Sequence, residues 1–379
     1  MQFDLSEELN LLKATLQQFL TQRYGFRERV SASRTAPGYR PDIWQALAQQ
    51  LGLLGVIAPE PVGGLGGGAD EQMIVMEEMG RFLCLEPVAE TVFQAMWLLS
   101  KAAPPVQALA AQIVEGRVIV VPAIGEPGVR YDFPAITTRA EQTAGDWMIS
   151  GHKAVVVAAP WAQHLIVAAR TSGEAGDADG LSLFVVPTDA AGVTLQPYPT
   201  IDGRHAADIV LEAVPVEASA LIGKPGDGLA LLEEWRDRAI AGQAAEAAGL
   251  LDRLVTDTVA YCKERQQFGA PIASYQVLQH RMVDMHIQVE LVRSAALLAA
   301  AKLDAPPRER ARAASSAKVA VAQACRYVGQ NAVQLHGGMG MTDELAIGHY
   351  FKRATQIEAE LGTESWHLAR LAMLAAEAC

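Results

Sequence analysis

Two short segments hold residue types able to grip an anionic ligand. Gln334-Leu335-His336-Gly337-Gly338-Met339-Gly340 sets adjacent glycines at a predicted helix end, where absent side chains let a backbone approach a phosphate or ribose closely. Arg265-Gln266-Gln267-Phe268-Gly269-Ala270-Pro271-Ile272, closed by Gln276, carries a guanidinium and an amide that can donate and accept. Each segment also has a plain structural reading. Gly337 and Gly338 can be only a C-cap, and Gly269 and Pro271 only the turn of a helix-turn-helix corner, with Arg265 in solvent. His336 reads as a packed or polar residue, not a base. Glu233, Glu234 and Asp237 read as one solvated helix face.

The elements that must position these residues follow from pattern. Ser6 is a good N-cap, Glu7 and Glu8 face the positive helix end, and Leu12, Leu16, Phe19 and Leu20 recur at helical spacing. Helical character returns over Glu71 to Leu83 and Glu90 to Ser100, beyond a glycine-rich loop at 63–68 that reads as a flexible connector. From about Val118 to Ala220 the texture is strand and hairpin: Val118–Val121, Trp147–Ser150, Val155–Val157, Leu165–Val167, Leu183–Val186 and Ile209–Leu211. The glycine- and acid-rich run 172–180 reads as a solvated hairpin loop.

Beyond Gly228 the chain is helical again. Leu278, Met282, Met285, Val289 and Val292 form the seam of a packed bundle helix. Pro306 and Pro307 separate it from alanine-rich helices around 313–335 and 357–378, whose small side chains permit close packing. The domains expected are 1–115, helical; 116–222, a β domain; and 223–379, a helical bundle.

Composition removes several function classes. A chain of 379 residues, half hydrophobic, can bury a sizeable core, and a net charge of -12 argues against tracking nucleic-acid phosphates. Cys84, Cys262, Cys325 and Cys379 form no CxxC pair, which disfavours a structural metal or thiol redox site; they read as reduced thiols. The acidic start at residues 1–8 carries no signal-peptide pattern, and no apolar run reaches about 20 residues, so a cytoplasmic protein without a membrane span is expected.

Across nearly its whole length the sequence resembles the acyl-CoA dehydrogenase family. The resemblance rests on Leu51-Gly52-Leu53-Leu54-Gly55, Glu77-Glu78-Met79-Gly80-Arg81, Tyr261 through Gln276, and Gln334 through Gly340. It implies a mainly α, α+β fold: an N-terminal helical domain, a middle β-barrel or sandwich domain and a C-terminal four-helix bundle. It also implies FAD as cofactor, an acyl-CoA substrate and an electron-transfer flavoprotein as electron acceptor. By position, Arg265, Phe268, Gln276, Gln334, Gly337 and Gly338 would touch the FAD of a neighbouring subunit, where a guanidinium fork suits pyrophosphate oxygens.

The resemblance fails at the flavin ring and at the base. Where the family has a Thr-Glu-Pro-Gly-Ala-Gly-Ser-Asp type segment this chain has Gly125-Glu126-Pro127-Gly128-Val129-Arg130-Tyr131-Asp132, so Gly125 and Tyr131 replace two hydroxyls. The usual Gly-x-Lys-x-Trp-Ile-Thr strand appears as Gly151 to Val157, with Val155 and Val157 for Trp and Thr. In Glu360-Leu361-Gly362-Thr363, Leu361 holds the place of the catalytic glutamate and cannot accept a proton. Glu360 is one residue off, turned about 100° if helical. Ala239 holds the alternative base position used by some relatives, and Asp237 is the nearest acid.

These departures resemble the small subunits of heteromeric dehydrogenases, pimeloyl-CoA dehydrogenase among them, that act on dicarboxylyl or steroid side-chain CoA esters. The implied partner is a companion dehydrogenase subunit in an α2β2 assembly. Two alternatives stay open: a self-sufficient homotetramer with Glu360 or Asp237 as relocated base, and a flavin-free assembly subunit.

Overall fold

A computed structural model of the chain describes residues 6–376, apart from the side chain of Pro105. The start of the acidic N-terminus and the thiol of Cys379 lie outside the described residues; Cys84, Cys262 and Cys325 are free thiols. Ahead of the β region lie α1 (Glu7–Arg23), α2 (Phe26–Arg34), α3 (Pro41–Gln49), α4 (Ala69–Arg81), α5 (Met96–Leu99) and α6 (Pro104–Val114). Ser6 caps α1 as its sequence predicts, its hydroxyl accepting from the Leu9 amide at 3.2 Å. Glu90 to Ser100 departs from a plain α-helix: Val88–Ala95 is a π-helix that runs into α5. The glycine-rich loop is a packed turn, because Leu65, Gly66 and Gly67 donate to the carbonyls of Gly55, Ala58 and Val56.

Eight strands follow: β1 (Val120–Ala123), β2 (Arg139–Thr143), β3 (Asp146–Val157), β4 (His164–Arg170), β5 (Leu181–Pro187), β6 (Val193–Pro199), β7 (His205–Val216) and β8 (Leu221–Ile222). They form one sheet in the order β6-β7-β3-β2-β4-β5-β8, with β1 parallel to β4. Two runs expected as separate strands, Trp147–Ser150 and Val155–Val157, are one long strand, β3. Its pairing with β7 shifts register between Lys153 and Val156, and a bulge lets one strand carry both runs. The 172–180 run does join an antiparallel pair, β4 and β5. It is anchored from beneath: the buried Arg170 guanidinium donates to the carbonyls of Asp179, Asp177 and Pro134.

The remainder is α7 (Gly228–Glu264), a small hairpin of β9 (Gln266–Gln267) and β10 (Ala270–Pro271), then α8 (Gln276–Ala301), α9 (Pro307–His336), α10 (Ala346–Ala359) and α11 (Glu364–Ala376). In α8 the expected seam is real at Met285, Val289 and Val292, all fully buried. α9 packs against α8, α10 and α11 through buried Ala314, Ala317, Ala322, Ala324 and Ala332. The helix expected over 357–378 is broken. α10 ends at Ala359 and α11 starts at Glu364, because Leu361 and Gly362 adopt φ of 57° and 120°, outside the right-handed helical range.

By backbone contacts the chain divides into two compact units. One holds Met1–Val30, Ala69–Cys84 and Ile240–Cys379; the other holds Ser31–Gly68 and Leu85–Ala239.

Candidate functional site

Three places carry the residues singled out above. In the first unit the chain leaves α7 at Glu264, makes the β9–β10 hairpin and enters α8, while α9 ends at His336. These chain reversals build a cavity of about 520 Å³ whose lining includes Arg265, Gln334, Gly337 and Gly338, joined by Tyr261 and Thr342. Added Cβ atoms at Gly337 or Gly338 would meet nothing within 4 Å, so both glycines border open space. Tyr261 stacks on the buried His336 at 4.3 Å and 24°. Burial lowers the His336 pKa, and its Nδ1 lies 2.8 Å from the Ala332 carbonyl, so Nδ1 carries the proton.

Phe268 and Gln276 are not part of that lining. Phe268 stands at the hairpin tip, 94% exposed. With φ of 52° it and Gly269 at 82° are the two central residues of the tight turn, as a type I′ turn requires. A large apolar side chain held in solvent in the left-handed region is costly twice over, once for the backbone and once for the exposed ring.

The second place is the 360–363 turn, also in the first unit. Glu360 is a C-cap with ψ of 147°, so the helical rotation expected between it and Leu361 does not apply. Both Glu360 oxygens are engaged: Arg353 donates to Oε1 at 2.9 Å and to Oε2 at 3.2 Å, and Gln243 donates to Oε2 at 2.8 Å. Arg353 also grips Glu246 at 2.7 and 2.9 Å. Nearby, the fully buried Lys318 donates Nζ to the Ile357 carbonyl, and burial lowers its pKa to about 8. Leu361 has no such role to play: its side chain offers neither a proton acceptor nor a hydrogen bond.

The third place lies in the second unit. Glu126, in the segment that departs from the family at Gly125 and Tyr131, is 5% exposed and accepts five bonds. Thr137 gives an amide and a hydroxyl, Thr138 the same pair, and Lys153 its ammonium at 2.7 Å. Burial would raise the Glu126 pKa, but Lys153 and these donors hold it down at about 2. Val155, 54% exposed with φ of 54°, sits at the β3 bulge, and its amide donates to Asp208 at 2.9 Å. The backbone here is pinned, while Gly125, Val155 and Val157 carry no hydroxyl and Tyr131 carries a phenol.

Glu126→Gln leaves the Lys153 ammonium buried without a countercharge and is expected to cost about 3–5 kcal/mol at pH 7. The folded-state pKa lies below the ordinary 4.5, so this stabilisation is present above 4.5 and is lost as pH falls toward 2. Urea unfolding of wild type and variant should therefore differ most at neutral pH and converge in acid.

One sequence expectation is corrected outright. Asp237 is 1% exposed, so Glu233, Glu234 and Asp237 are not one solvated face; Glu233 is open, Glu234 pairs with Arg238, and Asp237 is interior. Ala239 is buried as well. Sequence reasoning missed Arg353, Glu246, Gln243 and His367, because Glu246 and Gln243 on α7 and Ser315 on α9 are brought to the turn only by the fold. No local signal marks them.

Comparison with known proteins decides the family. The chain matches the N-terminal, middle and C-terminal domains of acyl-CoA dehydrogenases over residues 6–106, 122–214 and 226–375. It is 31% identical to the acyl-CoA dehydrogenase IpdE2 of Mycolicibacterium smegmatis over 97% of this chain and 98% of that one. The chain belongs to the acyl-CoA dehydrogenase family. The human mitochondrial short-chain specific acyl-CoA dehydrogenase is 30% identical to it over 83% of this chain and 77% of its own length. Among solved acyl-CoA dehydrogenases, a variant of the Tcur3481-Tcur3483 steroid ACAD superposes with a TM-score of 0.89 at 30% identity, covering 98% of both chains. The expected fold is borne out: the three-domain, helix-rich acyl-CoA dehydrogenase architecture with its middle β sheet. Among the described residues no helix is long and apolar enough to cross a membrane, and no group of three or more His, Cys, Asp or Glu could hold a metal ion.

Proposed function

We propose that this acyl-CoA dehydrogenase is the base-lacking subunit of a heteromer, lending contacts to the FAD of a companion subunit. The observation that carries this is a pairing within one unit: an open cavity at Arg265, Gln334, Gly337 and Gly338, and a turn bearing Leu361 whose neighbour Glu360 is committed to Arg353. The cavity suits the pyrophosphate and adenosine half of FAD, with a guanidinium for the phosphates and two bare glycines for close approach. Phe268 and Gln276 would complete the grip from the hairpin and the start of α8. The ring half fits less well, since Gly125, Val155 and Val157 carry no hydroxyl and Tyr131 sets a long phenol where the family has a short alcohol.

In the assembled enzyme Arg265, Gln334, Gly337 and Gly338 would help hold FAD, which would supply the hydride acceptor for converting an acyl-CoA to a trans-2-enoyl-CoA, with the proton-accepting carboxylate on the companion. This chain would bind and orient; it would not move the proton. Electrons would leave through an electron-transfer flavoprotein, and the assembly would be α2β2. The description of a relative as the Tcur3481-Tcur3483 steroid ACAD supports both the partnership and a bulky, steroid-like acyl group. Glu360 as a relocated base would have to break two bonds to Arg353 and one to Gln243. Asp237 would have to act from the interior.

Purified alone, the chain should be colourless and unreduced by acyl-CoA; a yellow, substrate-reducible preparation ends the proposal. Co-expressed with its companion dehydrogenase subunit it should form a yellow complex, and Arg265→Ala should weaken FAD retention there about 10- to 100-fold, the scale of a lost charge-assisted bond. A colourless complex would favour a flavin-free assembly role.

A further inference from the structure

The 360–363 turn has a second support that the ionic contacts of Glu360 do not supply. His367, fully buried on α11, places Nε2 at 3.0 Å from the Leu361 carbonyl and Nδ1 at 3.1 Å from the Ser315 hydroxyl. Ser315 is also fully buried, on α9, and Arg370 brings its guanidinium to the same hydroxyl at 3.2 Å. The protons can be assigned from these partners. A carbonyl only accepts, so Nε2 of His367 carries hydrogen; a guanidinium only donates, so the Ser315 oxygen accepts from Arg370 and its own proton is free to go to Nδ1. Burial and the neighbouring Arg370 guanidinium both disfavour a charged ring, so His367 is a neutral imidazole in one tautomer, within a one-way relay.

The turn needs such a hold. Leu361 is in the left-handed region at φ 57°, where a side-chain-bearing residue is disfavoured, and Gly362 follows at φ 120°. An added Cβ at Gly362 would lie 2.4 Å from Nε2 of His367, so ring and turn are fitted to one another. Thr363 completes the seat, its hydroxyl accepting from the Trp366 amide at 3.3 Å and its carbonyl from the His367 amide at 3.0 Å.

We propose that His367 is the positioning residue of this turn, the central link of the relay from Arg370 through Ser315 to the Leu361 carbonyl. It fixes the backbone from which the side chain of residue 361 departs. The geometry stands by itself; its meaning for catalysis rests on the reading that residue 361 occupies the family's base position. On that reading the chain keeps the base-bearing turn in working order and has changed only the side chain.

The test uses the full chain and no flavin, so its failure is distinct from failure of the heteromer proposal. Imidazole nitrogen NMR should show His367 protonated at Nε2 and accepting at Nδ1. Hydrogen exchange over 358–366 should quicken about tenfold in His367→Leu, the scale of one lost buried hydrogen bond, and return most of the way in His367→Gln, whose amide can still donate and accept. A ring protonated at Nδ1, or a leucine variant that protects the turn as well as the glutamine variant does, would each overturn the assignment. The last outcome would mean that the ring acts only by filling space.

Discussion

Arg353→Met should cost about 3–5 kcal/mol in urea unfolding, the range for removing one partner of a buried ion pair, with an unchanged m-value. Arg353 is 4% exposed and stands between two carboxylates, gripping Glu246 at 2.7 and 2.9 Å and Glu360 at 2.9 and 3.2 Å. Without it, two like charges face each other in a poorly solvated site, and α10 loses its ion pair with Glu246 on α7, leaving the Gln243 bond to Glu360 in place. Glu360→Gln should be far milder, about 1–2 kcal/mol, because Glu246 still neutralises the arginine and a glutamine oxygen can still accept. The same variant separates structure from chemistry. If Glu360 only anchors the turn, turnover of the assembled heteromer should change by no more than about twofold, whereas a relocated base would show a loss of orders of magnitude.

What could be read in the sequence divides by the range of the interaction. The cap at Ser6, the seam through Met285 and Val289, and the glycine pair after His336 are decided by residues a few positions apart, and each was legible. The gathering of Arg265 with Gln334, Gly337 and Gly338 was legible only through the family resemblance, since nothing local says that the end of α7 meets the end of α9. Strand β2 escaped notice because Arg139–Thr143 offers no apolar alternation, and β6 because its alternation of Val193 and Leu195 with Thr194 and Gln196 is short and runs into Pro197 and Pro199.

The turn at 360–363 was misread as helix for a physical reason. Its alanine-rich surroundings favour helix throughout, and a single Gly362 is a weak stop signal. What holds the break is the grip of Arg353 on Glu360 and of His367 on the Leu361 carbonyl, each fixed in turn by a distant partner, Glu246 and Ser315. Asp237 was misread in the same way. Its neighbours Glu233 and Glu234 make the local charge pattern look solvated, while the burial of that side of α7 depends on packing that no window of sequence contains.

Gly249→Ala should also be severe, about 3 kcal/mol, although it adds a single methyl group. A Cβ on Gly249 would lie 1.8 Å from the Glu77 carbonyl oxygen and 2.7 Å from its carbon, and one on Gly80 would lie 2.0 Å from the Glu246 oxygen. The contacts are reciprocal, α4 backbone on α7 at one glycine and α7 backbone on α4 at the other. Neither obstacle is a side chain, so no rotamer change relieves the clash; the helices themselves must separate. Separation would strain the pairing of Arg81 with Asp252, which spans the same two helices, and would shift the stretch of α7 that carries Glu246. Gly68→Ala is the matched control, because a Cβ there meets nothing within 4 Å, and its effect should stay within about 0.5 kcal/mol. If Gly249→Ala unfolds at the same urea concentration as Gly68→Ala, the close crossing of α4 and α7 is not what sets the spacing of these helices.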